Sequence, residues 1–364
     1  MASVCCKIPL NRYKTVVMAN LRIGILGAGW FGREAHVKNL LKLDGVDVVA
    51  ASSRSRESRT AVEELVGDDL QTFADWHDVL AVDGLDAVIV ALTNDVHHDA
   101  AVKAFESGLH VLAEKPLGLT IAECDDVIAA SKAAGKVLQV GHEMRHQALY
   151  QEMKSMIVGG QIGDPRVMWC REYRGPMRPG WRSSEAVTGG MLLEKNCHHF
   201  DLFNWMMDAD PVRVFAMGGR DVLTDRELLD NAQVLVEYAD GRRAVLEICL
   251  FAPSGGDCEI GVVGSLGRID TKNQAIRMDF VGFEDGKSWS KEVSDPDDEA
   301  GFQDASGRVD RGIKAELEHF VECCRTGASP LNDGPSARMN VSVCLAAQES
   351  IRTGQPVMID DVLS

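Results

Sequence analysis

One stretch of nine residues decides the fold of this chain: Gly24-Ile25-Leu26-Gly27-Ala28-Gly29-Trp30-Phe31-Gly32. Gly27, Gly29 and Gly32 match the pattern G-x-G-x-x-G, which here follows an apolar run and precedes a helical pattern. In such a turn the first glycine allows a tight bend, the second lets a pyrophosphate approach the backbone, and the third lets the helix pack on the strand. The whole turn, with Ala28, Trp30 and Phe31, is therefore predicted to bind a dinucleotide's phosphates at a helix N-terminus. The alternative is a glycine-rich turn without a ligand.

Around this turn, short apolar runs alternate with amphipathic stretches. The predicted strands are Leu21–Leu26, Val46–Ser52, Thr72–Phe73, Ala87–Leu92, Leu109–Ala113 and Val137–Val140. The predicted helices between them include Arg56–Val66, His98–Ser107 and Ile121–Ala134. Strands that alternate with helices of this length indicate βαβ units and a parallel sheet covered on both faces. Residues 21–141 are therefore predicted to form a doubly wound, Rossmann-type α/β domain, with residues 1–20 as an N-terminal extension.

The pattern changes after Gly141. A helical stretch, Ala148–Val158, and a Gly/Pro/Arg-rich loop precede longer β-like runs: Val212–Met217, Ala232–Tyr238, Arg243–Cys249, Glu259–Val263 and Arg268–Asp270. Turns such as Asp240-Gly241 join these runs and indicate hairpins. Residues 142–364 are therefore predicted to form an α+β domain on a large, mostly antiparallel open sheet, with loops over Phe280–Phe302 and helices over Asp310–Thr326 and Pro335–Thr353.

Composition excludes several classes of protein. The 364 residues are 45% hydrophobic and 26% charged, which is a globular balance. Acidic residues outnumber basic ones, 55 to 38, and the net charge of −17 disfavours binding to nucleic acid or to an anionic membrane. The longest apolar runs are too short to span a bilayer, and the N-terminus lacks the features of a signal peptide.

The ten cysteines are scattered and form no C-x-x-C pair. In a chain of this length that distribution is typical of reduced, mostly buried thiols, and it predicts a cytoplasmic protein. No metal site is expected.

The end of the second predicted strand bears on the choice between NAD and NADP. An acidic residue there would bind the ribose of NAD, but Asp47 lies at the beginning of the strand, at the wrong edge of the sheet. The strand instead ends at Ser52, Ser53, Arg54 and a second arginine, Arg56. Hydroxyl and guanidinium groups suit a 2′-phosphate, so Ser53 and Arg54 slightly favour NADP. Solvent-exposed arginines at a helix start are the alternative.

A lysine follows the fifth predicted strand, in Glu114-Lys115-Pro116. Ligands of open α/β sheets bind at this edge, where a lysine can hydrogen-bond a substrate hydroxyl and stabilise a developing alkoxide. The other interpretation is a surface lysine paired with Glu114.

A histidine segment provides a second chemical group. Glu194, His198 and Asp201 have the spacing i, i+4 and i+7, which places them on one face of a helix. His198 is a candidate for proton transfer, oriented by a carboxylate one turn away. His199 points to another side and is a weaker candidate. A buried structural histidine is the alternative.

The segment His142-Glu143-Met144-Arg145-His146 matches H-E-x-x-H, the pattern of zinc peptidases. It begins directly after the sixth predicted strand, so a helix there would start only beyond the first histidine. A zinc peptidase is therefore disfavoured.

Taken together, these motifs resemble the Gfo/Idh/MocA oxidoreductases, a family that includes glucose–fructose oxidoreductase and inositol dehydrogenase. The resemblance runs from about Leu21 to Ile359. It includes the glycine turn, Thr93-Asn94-Asp95-Val96-His97-His98, Glu114-Lys115-Pro116, Gly141-x-x-x-Arg145, Gly189-Gly190 and Glu194…His198…Asp201. The chain departs from the family pattern at Asn94 and Asp95, where Pro and Asn are usual, and at Glu194, where Asp is usual.

The resemblance implies roles for individual residues. Lys115, His198, Glu194 and Asp201 would be catalytic: His198 exchanges the hydroxyl proton, Lys115 polarises the oxygen, Glu194 sets the charge of that pair, and Asp201 binds substrate or fixes His198. Further cofactor contacts would come from Thr93, Asn94, His98, Glu114, Lys115 and Arg145. Substrate contacts are expected from His142, Glu143, Tyr173, Trp181, Arg182 and His199.

The predicted function is hydride transfer between NAD or NADP and a secondary hydroxyl or ketone of a sugar, cyclic polyol or glycoside. The resemblance also implies a homodimer or homotetramer paired through the open sheet. Two alternatives share the fold: a redox-neutral glycoside-processing enzyme with tightly bound NAD, and a non-catalytic NAD(P)-binding regulator.

Overall fold

The computed structural model describes residues 19–177, 180–252, 258–272, 276–293 and 312–364. They form two β-sheets flanked by helices. The predicted N-terminal extension, except for its last two residues, lies outside the described residues, and so does the end of the predicted loop at Phe280–Phe302.

The first sheet has six strands in the order β3-β2-β1-β4-β5-β6, all parallel. The strands are β1 (Leu21–Leu26), β2 (Val46–Ser52), β3 (Gln71–Phe73), β4 (Ala87–Val90), β5 (His110–Glu114) and β6 (Leu138–Gly141). The strand order reverses between β1 and β4, which is the point at which doubly wound sheets bind ligands. The predicted parallel Rossmann sheet is confirmed.

Helices cover both faces of this sheet, so its central strands are fully buried and almost entirely apolar. The helices of this part are α1 (Lys38–Leu40), α2 (Arg56–Val66), α3 (Trp76–Leu80), α4 (His97–Glu106) and α5 (Ile121–Ala134). A π-helical stretch, Gly32–Val37, leads into α1, and a 3₁₀ turn, Asn94–Val96, leads into α4. Thr120 and Glu123 form a capping box at the start of α5, which fixes the loop after β5.

The second sheet has nine strands in the order β14-β13-β12-β11-β7-β10-β9-β8-β15. The strands are β7 (Pro165–Tyr173), β8 (Pro211–Gly219), β9 (Asn231–Tyr238), β10 (Arg243–Cys249), β11 (Cys258–Gly264), β12 (Gly267–Lys272), β13 (Arg277–Gly282), β14 (Ser288–Glu292) and β15 (Val357–Met358). Neighbours are antiparallel except β7 and β10, so the mostly antiparallel sheet is confirmed.

Four strands of this sheet, β7, β13, β14 and β15, were not predicted. β7 mixes charged and apolar residues because only its inner face is buried. β13 and β14 occupy part of the stretch that the sequence indicated as a loop, so that prediction was wrong for those residues. A strand whose outer face is polar has only part of its residues buried, so its hydrophobic signal in the sequence is weak.

The two faces of the second sheet differ. The inner face packs against α6 (Ala148–Val158), α8 (Cys197–Met207) and α10 (Gly334–Thr353). The outer face carries exposed apolar side chains: Val167, Tyr173, Phe215, Met217, Leu235 and Val245. Short helices α7 (Glu185–Thr188) and α11 (Ile359–Leu363) complete this part.

One helix from the C-terminal half packs on the first sheet. The apolar face of α9 (Ile313–Thr326) joins the hydrophobic core formed by β1, β2, β4 and β5 through Ile313, Leu317, Phe320 and Val321. This contact ties the C-terminal half of the chain to the first sheet, next to the edge where the predicted site residues lie. No helix in the described residues is long and apolar enough to cross a membrane.

Candidate active site

The glycine turn after β1 leaves room for a dinucleotide. Gly27 has φ of 102°, and a Cβ there would lie 2.4 Å from the Ala91 carbonyl oxygen. A Cβ at Gly32 would lie 2.2 Å from the Gly27 carbonyl oxygen, whereas one at Gly29 would have no heavy atom within 4 Å. The outer two glycines are therefore needed for the backbone to pack, while Gly29 faces open space, as a pyrophosphate site requires. This geometry fits a dinucleotide cofactor.

The end of β2 supports the same turn. The backbone N–H of Ala28 donates to the Ser52 carbonyl over 2.6 Å, and that of Gly27 donates to the Ser52 hydroxyl over 3.2 Å. Arg59 donates to the carbonyl of Ser53 over 2.6 Å and so holds the loop, while the Arg54 side chain is exposed. Asp47 lies at the other end of β2 and accepts a hydrogen bond from Asn20. Asp47 therefore lies away from the glycine turn.

Lys115 and Glu194 form the centre of the site. Lys115 follows β5 and precedes a cis peptide bond to Pro116. Its ammonium donates to the Glu194 carbonyl over 2.6 Å and lies 3.3 Å from Glu194 Oε2. Burial by itself lowers the pKa of Lys115, but the surrounding carboxylates, Glu194 above all, raise it above the ordinary value. The side chain is 16% exposed, so a fixed positive charge reaches the cleft.

Glu194 receives two further donors. The Asn94 amide nitrogen lies 2.9 Å from Glu194 Oε2, and Arg182 Nε lies 3.1 Å from Oε1. Burial opposes ionisation of Glu194, yet Lys115, Arg182 and Asn94 lower its pKa. The amide of Asn94 also donates to the Thr188 carbonyl and so positions Glu194, while its contact with the cofactor stays a prediction. The neighbouring Thr93 precedes the 3₁₀ turn and is half-buried.

A buried pair that the sequence analysis missed lies beneath Lys115. His36 Nε2 is 2.8 Å from Glu114 Oε1, and both side chains are buried. Burial raises the pKa of Glu114, but His36 and Lys115 outweigh that effect and lower it. The side chain of Glu114 therefore supports Lys115 from within the sheet and links it to the helix of the glycine turn. The position of His36, in the helix that opens at the glycine motif, was the available signal.

His198 has a different carboxylate partner from the one predicted. Its Nδ1 lies 3.2 Å from Glu143 Oε2, and its ring meets that of His142 edge to face at 5.8 Å. Burial, followed by the charge of Lys115, lowers the pKa of His198 well below its ordinary value. A neutral imidazole therefore lies close to the Lys115 ammonium, with Glu143 beside it. The π-helical stretch Leu192–Asn196 precedes α8 and breaks the regular helical spacing on which the predicted Glu194–His198 contact relied.

Asp201 and Arg145 bind each other. Asp201 is fully buried and accepts hydrogen bonds from Arg145 Nε over 2.6 Å and Nη2 over 2.7 Å. Asn340 donates to the same carboxylate, and Arg145 also donates to the Leu331 carbonyl and the Ser336 hydroxyl. In this structure Asp201 binds Arg145 rather than His198, and the predicted contacts of Arg145 with the cofactor and of Asp201 with substrate stay predictions. These side chains join α8 to α10 under the site.

The two histidines of the H-E-x-x-H segment point to different surroundings. His142 precedes a short 3₁₀ helix, Glu143–His146, and lies beside His198 and 3.6 Å from Asp201. His146 contacts Asn332 and the ring of His319 instead. This arrangement lacks the single α-helix on which zinc peptidases present both histidines.

The adjacent histidines 97 and 98 have different surroundings. His98 is half-buried on α4, next to Asp99 and Asp126, and its contact with the cofactor stays a prediction. His97 is buried, with Nδ1 2.9 Å from the Pro116 carbonyl and Nε2 3.1 Å from the Leu92 carbonyl. It therefore fixes the loop that carries Lys115.

The remaining substrate candidates separate into two groups. Arg182 and Trp181 lie at the rim of the site, with the guanidinium 4.2 Å from the indole centre and bound to Glu194. Tyr173 points to the outer face of the second sheet, where its hydroxyl donates to Glu247, so its predicted substrate contact is wrong. His199 is buried against β7 and β11, away from the cleft, and is likewise misplaced as a substrate ligand.

Comparison with known proteins identifies the family. Residues 21–142 match a model described as the oxidoreductase family's NAD-binding Rossmann fold. Residues 154–359 match the model of the same family's C-terminal alpha/beta domain. The chain belongs to the Gfo/Idh/MocA oxidoreductase family. The predicted resemblance is confirmed, and with it an enzyme that has an NAD-binding Rossmann domain.

Characterised relatives of this Gfo/Idh/MocA protein cover nearly its whole length. It is 27% identical over 348 residues to the myo-inositol 2-dehydrogenase of Thermotoga maritima, which covers 94% of this chain and 100% of the relative. It is 28% identical to the scyllo-inositol 2-dehydrogenase (NAD(+)) of Bacillus subtilis, over 93% of this chain and 96% of the relative.

Solved structures share the fold. A probable dehydrogenase from Thermotoga maritima superposes with a TM-score of 0.79 at 26% identity, covering 94% of this chain and all of the other. An oxidoreductase from Agrobacterium radiobacter in complex with NAD+, L-tartaric acid and magnesium has a TM-score of 0.84 at 18% identity, over 94% and 99% of the two chains.

Proposed function

We propose that this protein is an NAD(P)-dependent dehydrogenase acting on a secondary hydroxyl of a cyclic polyol or sugar, or on the corresponding ketone. One observation carries the proposal: the Lys115 ammonium is held by Glu194 beside His198, at the same sheet edge as the open glycine turn. A cation next to an imidazole suits a carbon–oxygen bond that gains and loses a proton. The inositol dehydrogenase relatives support the polyol class.

In the oxidising direction, each residue has a distinct task. His198 accepts the proton of the substrate hydroxyl, and Lys115 donates a hydrogen bond to the same oxygen as its negative charge develops. The nicotinamide supplies the acceptor for the hydride that leaves the carbon. Glu143 Oε2, 3.2 Å from His198 Nδ1, stabilises the imidazolium that forms, while Glu194 holds the Lys115 ammonium in place. The products are the ketone, the reduced cofactor and one proton.

For the cofactor, we propose a preference for NADP over NAD. Ser53 and Arg54 follow β2, where NAD-specific Rossmann domains have an acidic residue. The exposed Arg54 guanidinium has the bidentate geometry that suits a phosphate, and Arg59 holds the carbonyl groups of this loop. The relatives are named as inositol dehydrogenases, and one of them is named as NAD-dependent, so a switch of cofactor would set this chain apart.

The experiment is a screen for growth of reduced-nicotinamide absorbance. Purified protein is mixed with NAD or NADP and with inositol isomers, hexoses and glycosides. Lys115→Met and His198→Asn are expected to lower the rate about a hundredfold or more, and the exposed Lys103→Met serves as the matched control. The proposal is supported if the absorbance grows with the wild type and with the control variant but not with either site variant.

Two other outcomes would overturn it. The protein would be the redox-neutral enzyme if it cleaves or epimerises a glycoside while its bound cofactor shows no net reduction. The protein would be a regulator if it binds NAD(P), is inert with every substrate, and keeps its biological output in the Lys115→Met variant.

We also propose that the protein self-associates through the outer face of the second sheet. Apolar side chains on β7 to β10, among them Phe215, Met217 and Leu235, are between 37% and 64% exposed there. Contiguous apolar surface of this kind is typical of an interface between subunits. The Leu235→Glu variant should shift the mass in solution from a dimer or tetramer to a monomer. A wild-type monomer at micromolar concentration would contradict the proposal.

We place the protein in the cytoplasm. The eight cysteines in the described part of the chain are free thiols, and most are buried. Unpaired thiols are typical of a reducing compartment.

A further inference from the structure

A cluster of metal-ligating side chains lies behind the active site, one residue away from His198. Cys170 comes from β7, Cys258 from the first residue of β11 and His199 from α8. All three side chains are buried, and their Sγ and imidazole nitrogen atoms lie within 4.8 Å of one another. None of these groups takes part in the proposed hydride transfer.

The distances in the cluster match a tetrahedral zinc site. Zn–S bonds of about 2.3 Å and Zn–N bonds of about 2.05 Å at tetrahedral angles separate two sulfur ligands by about 3.8 Å and a sulfur from a nitrogen by about 3.5 Å. Cys170 Sγ lies 3.8 Å from Cys258 Sγ, and Cys258 Sγ lies 3.5 Å from His199 Nε2. Both measured distances therefore fit ligands of one zinc ion.

A fourth ligand is available in Glu172. Its residue is 4% exposed, and its Oε2 atom accepts no hydrogen bond although it is buried. That oxygen lies 3.4 Å from His199 Nε2, close to the nitrogen–oxygen edge of about 3.3 Å expected at zinc. Glu172 pairs directly with Cys258 in the β7–β11 register, so both side chains point to the same inner face. An unpaired buried carboxylate oxygen is costly unless a cation binds it.

Neighbouring groups complete the surroundings that a zinc site needs. Glu172 Oε1 is 3.1 Å from the Lys195 ammonium, which holds the carboxylate and balances the charge of two thiolates and one carboxylate around Zn²⁺. Asn196 Nδ2 lies 3.3 Å from His199 Nδ1, and Asn196 Oδ1 is buried without a partner. Turning the Asn196 amide by 180° lets His199 Nδ1–H donate to Asn196 Oδ1, which leaves His199 Nε2 free to bind the metal.

We propose that Cys170, Cys258, His199 and Glu172 bind one Zn²⁺ ion. Two sulfurs, one imidazole and one carboxylate are ligands that zinc accepts in tetrahedral sites. The sequence analysis expected no metal because the ligands come from three separate segments without a C-x-x-C pair. The ion has no role in the chemistry: it ties α8 to β7 and β11 and so fixes the helix that carries His198.

The first test is metal content. Protein purified without chelator, or refolded with Zn²⁺, is expected to retain about one zinc per chain after dialysis. Cys170→Ser and Cys258→Ser should each lower zinc affinity about tenfold or more, whereas the control Cys124→Ser, a buried thiol of the first domain, should retain the metal. Zinc at equal levels in all four proteins would overturn the proposal.

A second measurement needs no variant. Wild-type protein stripped with a chelator is loaded with Co²⁺, whose spectrum reports thiolate ligands and tetrahedral geometry. Thiolate charge-transfer bands at one equivalent, together with a melting temperature that falls on stripping and recovers with Zn²⁺, would support the site. Absence of cobalt–thiolate absorbance, or a Cys170–Cys258 disulfide found by mass spectrometry in the native protein, would overturn it.

Discussion

His198 Nδ1 lies 3.2 Å from Glu143 Oε2, and the two residues come from different elements: α8 and the 3₁₀ turn after β6. Lys115 thus comes from the first domain, Glu143 from the turn directly after the last strand of that domain, and His198 and Glu194 from the second domain. A site assembled in this way depends on how the two parts of the chain pack, and α9 and the Arg145–Asp201 pair secure that packing.

The contact between Glu143 and His198 predicts that Glu143 is needed for catalysis. Glu143→Gln keeps the size of the side chain but removes the charge that stabilises the imidazolium. The turnover number should fall about ten- to a hundredfold, while KM for the cofactor stays unchanged. Steady-state kinetics measure both constants, and the exposed Glu106→Gln is the control. Wild-type turnover in Glu143→Gln would contradict this role.

The loop after β2 predicts a cofactor preference that mutation can remove. Arg54→Ala should raise KM for NADP about tenfold or more, because a guanidinium–phosphate hydrogen-bonded pair is lost, and should leave KM for NAD nearly unchanged. Ser53→Asp should lower KM for NAD, because the new carboxylate can accept hydrogen bonds from the ribose of NAD. Equal effects of Arg54→Ala on both cofactors would show that the loop does not read the 2′-phosphate.

Asp201 is predicted to matter for stability before it matters for activity. Asp201→Asn leaves the Arg145 guanidinium buried without its counter-charge, which should lower the free energy of unfolding by about 3–5 kcal/mol. The control is Asp125→Asn, which breaks a pair with Arg338 of similar geometry on the surface and should cost about 1 kcal/mol or less. Denaturant unfolding measures the free energy of unfolding of both variants and of the wild type. A stable but inactive Asp201→Asn protein would restore the catalytic role that the sequence suggested.

The sequence was a good guide wherever one local pattern decides the structure. The glycine turn, α2, α5 and β2 were predicted with their observed bounds, because apolar periodicity and caps are local signals. The Lys115 loop and His198 were also singled out from motifs. The roles assigned by spacing alone did worse. Glu194 was assigned to His198 on the assumption of a regular α-helix, but Glu194 lies in a π-helical stretch. Asp201 does share the regular helix α8 with His198, but its carboxylate binds Arg145.

Contacts between distant segments were beyond the sequence. Arg145 binds Asp201, Asn94 binds Glu194, and Cys170 meets Cys258 only after β7 and β11 pair. Each of these partners lies between 56 and 100 residues away along the chain, as the sequence numbers give. A residue-type pattern cannot distinguish an arginine that binds a cofactor from one that binds a buried carboxylate, because the chemistry of the two contacts is the same.

His146 predicts how stability depends on pH. Its burial, together with the neighbouring His319, lowers its pKa to about 4, and its Nε2 lies 3.2 Å from Asn332 Oδ1. In the unfolded chain the same imidazole titrates near 6.5, so between these values the unfolded state binds the extra proton. The stabilising contribution is therefore fully present above pH 6.5 and is lost as the pH falls towards 4.

The expected loss for this one group between pH 7.5 and 5 is about 2 kcal/mol. Denaturant unfolding at both pH values measures this loss in the free energy of unfolding. His146→Gln cannot titrate, so its free energy of unfolding should fall by about 2 kcal/mol less than that of the wild type between pH 7.5 and 5. His77→Gln, which removes a histidine at the protein surface, is the matched control. Parallel pH profiles for the wild type and His146→Gln would contradict the prediction, because they would mean that the buried imidazole is protonated in the native protein.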